Sequence, residues 1–197
     1  MPFPSPPWSL TAQMWLSVFA VRDTGRPDRP AGVYGAAFVD YQEDGVLAYH
    51  ELLVARLHDA ARRRVRITDI WVDSVTSRDG GQALWAIPKQ LADLPLRSLG
   101  YGPATRTAFG AVADGQHVAS GRFVSLPGAA LVRGPLAMST SQERGDGTEV
   151  VTPFAGSARA VPCRGTWRFD PAGPLAFLHG RRPVVSFLVR DARLRFG

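Results

Sequence analysis

Along this chain apolar residues alternate with polar ones or gather in short bursts closed by Gly, Pro and Asp, which is the punctuation of antiparallel strands. The pattern predicts strands over Gln13 to Val21, Val33 to Tyr41, Val46 to Leu57, Val65 to Val72, Ala104 to Ala113, His117 to Leu126, Glu149 to Phe154, Thr166 to Phe169 and Val184 to Phe196. Gly45, after Glu43 and Asp44, supplies a positive-φ turn. The clearest helix signal runs from Ser77 to Trp85, with Ser77 as its N-cap and Asp79 near the positive end of its dipole. Pro88 interrupts that helix, because it lacks a backbone donor and biases Ile87 away from the αR region, so Lys89 falls just beyond a break in regular structure. The fold class read from this pattern is α+β, predominantly antiparallel β, with one or two short helices in a single domain over residues 1–197.

A chain of 197 residues is long enough to bury roughly 70% of the surface its unfolded form exposes. With 45% hydrophobic and 20% charged residues it lies outside the disordered compositions. The one cysteine, Cys163, excludes an internal disulfide and a four-cysteine zinc site, and it reads as a buried structural thiol. The start, Met1 to Pro7, has neither a basic nor an apolar leader region, and no stretch reaches the ~18 apolar residues that span a bilayer. The expectation is a cytoplasmic protein with no membrane partner. The net charge of +6 raises the question of nucleic acid, but the cations are scattered. Only Arg62-Arg63-Arg64-Val65-Arg66 clusters, without a glycine-aromatic pattern, so it reads as a solvated loop entering a strand and no nucleic-acid partner is expected. His50, His58, His117 and His179 lack metal-ligand spacing, and there is no nucleophile elbow, P-loop or dinucleotide fingerprint. Neither metal nor cofactor is expected.

Of the 23 basic side chains only one, Lys89, is a lysine. Arginine is always charged, whereas a desolvated lysine gives up its proton and attacks a carbonyl to form a Schiff base. The residues before it, Trp85, Ala86, Ile87 and Pro88, are all apolar and favour burial of the amine. Glu51 is the carboxylate to place beside that amine, as proton carrier or orienting group, because Leu52, Leu53 and Val54 make its strand largely buried. Trp15, Tyr49, Trp71 and Trp85 are candidates for the wall of a substrate cavity, though core packing is at least as natural a role for each.

The run Ile67-Thr68-Asp69-Ile70-Trp71-Val72-Asp73-Ser74, with Ser77 and then Gly80-Gly81-Gln82-Ala83-Leu84-Trp85-Ala86-Ile87-Pro88-Lys89-Gln90-Leu91-Ala92, resembles the core motif of the acetoacetate decarboxylase family. Tyr49-His50-Glu51 resembles its Tyr-x-Glu strand, and Pro7 to Leu10 and Asp191 to Gly197 resemble the ends of short bacterial members. The resemblance implies a barrel-like, oligomeric protein with a deep apolar cavity and a lysine, here Lys89, that forms a Schiff base with a keto acid. The depressed basicity of the lysine in that family is a known example of amine activation.

The chain departs from the family pattern where Gln82 and Ala83 replace an arginine and a glutamate, where Gln90 replaces a second lysine, and where Gln13 aligns with an active-site arginine. Gln13 and Gln82 are accordingly candidate substrate-binding residues. Because an arginine is the natural clamp for a carboxylate, these changes imply a less charged site and a bulkier carbonyl substrate than acetoacetate. The leading expectation is a Schiff-base lyase of decarboxylase, aldolase or dehydratase type. The alternatives keep the fold without an imine: a cyclase or isomerase of secondary metabolism, or a small-molecule binding barrel.

Overall fold

In this computed structural model residues 3–26, 28–99, 105–125 and 133–197 are described. The elements in chain order are β1 (Trp8–Val21), β2 (Gly32–Tyr41), β3 (Tyr49–Asp59), β4 (Arg64–Val72), α1 (Val75–Trp85), β5 (Lys89–Leu91), β6 (Leu96–Leu99), β7 (Arg106–Ala113), β8 (Gln116–Ser125), β9 (Gly134–Glu143), β10 (Glu149–Phe169) and β11 (Val185–Phe196). β11, β1, β2, β3, β4, β9 and β10 follow one another edge to edge, and β10 pairs back with β11, so the sheet closes into a barrel. The pairings are antiparallel except where β4 meets β5 and β9. The far end of β10 leaves the ring and carries β8, β7 and β6 as a small second sheet.

Alternation along each strand sorts side chains to two faces. On β1, Leu10, Met14, Leu16 and Val18 line the barrel interior, whereas Trp15, Phe19 and Val21 face outward into a buried cluster. β2, β3 and β4 add Tyr34, Phe38, Leu52, Val54 and Trp71 to that cluster, and the second sheet covers it with Phe109, Val118 and Phe123. The rings of Phe38 and Phe109 stack at 4.3 Å. The dense core of the protein therefore lies between the barrel wall and the second sheet, and the barrel interior remains open.

A bulge keeps β4 in phase with this plan. Val54 pairs with Asp69 but Ala55 pairs with Ile67, leaving Thr68 as an extra residue, and its hydroxyl donates to the Val54 carbonyl at 3.2 Å. Val65, Ile67 and Ile70 consequently all face inward.

Several expectations need correction. Glu149 to Phe154 and Thr166 to Phe169 are parts of one long β10. Its prolines and glycines read as breaks, yet Pro162 sits where β10 leaves β11 and joins β8, where a missing donor costs little. At Gly156 a side chain would collide with the Arg193 carbonyl, so glycine there permits close strand approach. β9 and β6 were not anticipated, because small and polar residues dominate Gly134–Glu143 and β6 is short. β3 starts at Tyr49, not Val46. Gly45 does not adopt positive φ; what requires it is the approach of the Leu10 and Thr11 backbone, 3.1 and 3.0 Å from where its side chain would begin. Ala104 and Leu126, the outer ends of two expected strands, lie outside the described residues.

The helix N-cap is Ser74, whose hydroxyl accepts from the Ser77 amide at 3.2 Å. Ser77 lies inside α1, fully buried, and no acid occupies the first turn, since Asp79 pairs with Arg78 on the helix side. Arg62 and Arg63 form the turn between β3 and β4, where Arg62 pairs with Asp59. No described helix is long and apolar enough to cross a membrane.

Candidate active site

The barrel interior holds a cavity of about 660 Å³. Four of its lining side chains gather polar chemistry at one end. β3 presents Tyr49 and Glu51 inward, in step with Leu53, Ala55 and Leu57, while β2 brings Tyr41 beside Tyr49 as its cross-strand partner. The two phenol rings stack at 4.5 Å. The fourth is Lys89, delivered by a different route.

After α1 the chain takes a left-handed turn at Ala86, whose amide caps the helix on the Gln82 and Gly81 carbonyls. Pro88 prevents the helix from resuming, and β5 then adds to β4 in parallel, with Lys89 opposite Ile70. Since Ile70 faces the cavity, Lys89 does too. Its neighbours Gln90 and Leu91 are exposed.

Lys89 is 5% exposed and Glu51 3%. The lysine Nζ donates to Glu51 Oε2 at 2.8 Å, to Ser77 Oγ at 2.9 Å and to the Tyr49 hydroxyl at 3.3 Å. It also lies 5.0 Å from the centre of the Tyr49 ring, where the negative π face favours a cation. Tyr41 donates to Glu51 Oε1 at 3.3 Å, and the Tyr49 hydroxyl lies 3.5 Å from Oε2. Burial, reinforced by the Glu51 charge, pushes both phenols well above the ordinary tyrosine range, so they remain donors. A buried amine, a buried carboxylate and three hydroxyls thus satisfy one another at the end of an otherwise apolar chamber.

The end is sealed by aromatic rings. Trp8 and Trp85 meet edge to face at 4.8 Å, and Trp85 meets Phe196 at 4.7 Å. Gly80 allows α1 to settle against the Trp8 ring, and Gly81 makes room for the Lys89 stem.

Of the candidate residues, Lys89, Glu51, Tyr49 and Trp85 are brought together around the cavity. Gln13, Trp15, Trp71 and Gln82 are not. Gln13 and Trp15 lie on the outward parity of β1, and Trp15 and Trp71 belong to the core beneath the second sheet. Gln82 is exposed on α1, and its amide donates to the Lys89 carbonyl at 2.7 Å, so it holds the lysine backbone instead of a ligand. Ala83 is exposed as well. Sequence reasoning missed Tyr41, Ser77 and Trp8. Tyr41 is findable as the cross-strand partner of Tyr49, and Ser77 as the helix neighbour one turn before Gly81.

No arginine lines the cavity among the described residues, and the segments 1–2, 27, 100–104 and 126–132 contain none in sequence. The partly buried Cys163 lies outside the cavity, and burial pushes its thiol up to about 11.

No protein-family model matches the chain, and no curated protein matches it. Solved structures do. The enduracididine biosynthesis enzyme MppR superposes with a TM-score of 0.71 at 17% identity, covering 100% of this chain and 88% of that one. A second structure of MppR, complexed with the condensation product of pyruvate and imidazole 4-carboxaldehyde, gives 0.70 at 16% identity over 99% of this chain and 88% of that one. Acetoacetate decarboxylase from Legionella pneumophila gives 0.65 at 15% identity over 99% and 86%. The fold is that of the acetoacetate decarboxylase-like proteins, over the whole chain.

Proposed function

We propose that this chain is a Schiff-base-forming enzyme acting on an oxo acid or related carbonyl compound, with Lys89 as nucleophile and Glu51 as proton carrier. The observation that carries this reading is the contact of 2.8 Å between the Nζ of the only lysine and Glu51 Oε2, buried at the end of an apolar cavity. Transfer of a proton across that contact leaves a free amine. The amine nitrogen then bonds to the substrate carbonyl carbon, giving a carbinolamine; the returning proton lets its oxygen depart as water, and a carbon-nitrogen double bond remains. The protonated imine accepts the electron pair released when carbon dioxide or an α-proton leaves. Ser77 and Tyr49 hold Nζ in place, and Tyr41 steadies the carboxylate. The bound condensation product of pyruvate in MppR, a structural neighbour, supports carbonyl chemistry in this fold.

A second reading, a binding or cyclising barrel without an imine, is favoured by the absence of arginine among the described cavity walls. Borohydride reduction followed by intact-protein mass decides between them. With a panel of keto acids and ketones the wild-type chain is expected to gain a stable adduct, and Lys89→Arg to gain none. Absence of any adduct from the wild type would reject the imine. We further propose a homo-oligomer, as the family resemblance implies, which sedimentation of the native protein tests, and a cytoplasmic location, which fractionation of the source cells tests.

A further inference from the structure

The cavity is much larger than the polar cluster at its end. Ile70 lies beside Lys89 and Val65 beside Thr140 on the same strand, a distance of roughly 16 Å along β4 at ~3.3 Å per residue. Over that stretch the wall is built from Leu53, Ala55, Leu57, Ile67 and Met138 among others, and Thr140 supplies the one polar side chain among the described residues of this far half. Exposure rises in the same direction, from 3% at Glu51 to 43% at Val33, which also lines the cavity. The polar end is closed, and the cavity opens toward its aliphatic end.

Charge is equally one-sided. Lys89 is already matched by Glu51, so the chamber offers no surplus cation to a carboxylate. A keto acid of seven non-hydrogen atoms displaces roughly 200 Å³ at ~30 Å³ per atom-sized group, leaving most of the 660 Å³ unfilled. Apolar cavities of that kind gain by accepting apolar ligand, not water.

We propose that the ligand is a long-chain carbonyl compound: an uncharged alkyl tail extends from the carbonyl at Lys89 along β3 and β4, past Ala55 and Ile67, toward Val33. This inference rests on the imine reading only for the position of the carbonyl.

The test uses the native protein and a homologous series of 2-alkanones from acetone upward, read in parallel by borohydride-trapped mass and by intrinsic tryptophan fluorescence, to which Trp8 and Trp85 at the cavity end contribute. The half-saturating concentration is expected to fall about fourfold for each added methylene, then to level once the chain fills the chamber. Ala55→Met is expected to move that plateau to shorter chains, and an unmoved plateau would overturn the assigned path. A flat or inverted dependence on chain length overturns the proposal even if acetone is trapped, in which case the imine stands alone. Chain-length-dependent fluorescence without any adduct has the opposite meaning: the tail site holds and the imine reading fails.

Discussion

A β-carbon on Gly81 would sit 2.8 Å from Cδ and 2.9 Å from Cε of Lys89. The lysine stem crosses α1 at Gly81, the second of two adjacent residues of the helix without a side chain, and Nζ emerges between Ser77 and Glu51. Gly81→Ala therefore tests the position of the amine while leaving every polar group of the cluster in place. Alanine favours the helix by about 1 kcal/mol and overpacks it by about 1–3 kcal/mol, so a net loss of about 0–2 kcal/mol is expected to lower the thermal midpoint by no more than about 8 °C. Imine formation is expected to slow by about 10²-fold, because the amine is displaced. Trapping rates beside a thermal melt check this, and an unchanged trapping rate would show that Lys89 finds another path.

Glu51→Gln keeps the volume of the side chain but removes its ionisable carboxylate. Adduct formation is expected to fall by about 10²–10⁴-fold. Ser77→Ala removes one hydrogen bond to the ammonium and is expected to cost about tenfold. If the two variants lost activity equally, Glu51 would be only another positioning partner.

A pH effect is expected on the outer face of β3, away from the cavity. His50 Nδ1 lies 2.8 Å from Asp73 Oδ2, and its amide donates to Asp73 Oδ1 at 2.7 Å. The hydrogen bond to Asp73 raises His50 above 6.5, and although burial opposes it, the histidine holds Asp73 below 3.8. A raised histidine contributes stability below its unfolded value and loses it as pH rises through its folded value. The lowered aspartate contributes above its unfolded value and loses it as pH falls through its folded value. The stability difference between wild type and Asp73→Asn is thus expected to be greatest between about pH 4 and 6.5, to shrink on either side, and to stay within about 1 kcal/mol for so exposed a pair. Urea midpoints across that range measure it, and a difference that grew above pH 8 would contradict the assignment.

Cys163 should be chemically quiet. With its thiol pushed up to about 11 by burial, only about one molecule in a thousand carries a thiolate at pH 8. Iodoacetamide is expected to label the unfolded chain fully and the native chain negligibly within the same time. Rapid native labelling would show that the site opens.

Much of this arrangement was legible because strand parity is a local property. Tyr49 and Glu51 share a face whatever lies around them, and the Pro88 break makes Lys89 leave the helix axis. Which of two apolar faces becomes the chamber is not local. Trp15 and Met14 are equally apolar neighbours, and only the second sheet, which covers Trp15 and not Met14, decides between them. β10 was misread for a related reason: its prolines and glycines serve handovers between partners that are distant in sequence. Gln82 looked like a ligand group in a motif, but its amide is engaged by the Lys89 carbonyl, a contact set by how the chain returns after Ala86.

The placement of the packed core outside the lumen separates two tasks that most small enzymes perform with the same residues. Residues such as Phe38, Leu52 and Phe123 secure the fold from one side of the barrel wall, whereas Leu16, Leu53 and Met138 look into open space from the other. Leu16 and Leu53 also pack against smaller buried clusters in the barrel wall, so volume-conserving exchanges are the ones the lumen accepts at a cost under about 1.5 kcal/mol. Ligand preference in this scaffold is therefore free to drift while the architecture that holds Lys89 against Glu51 stays fixed.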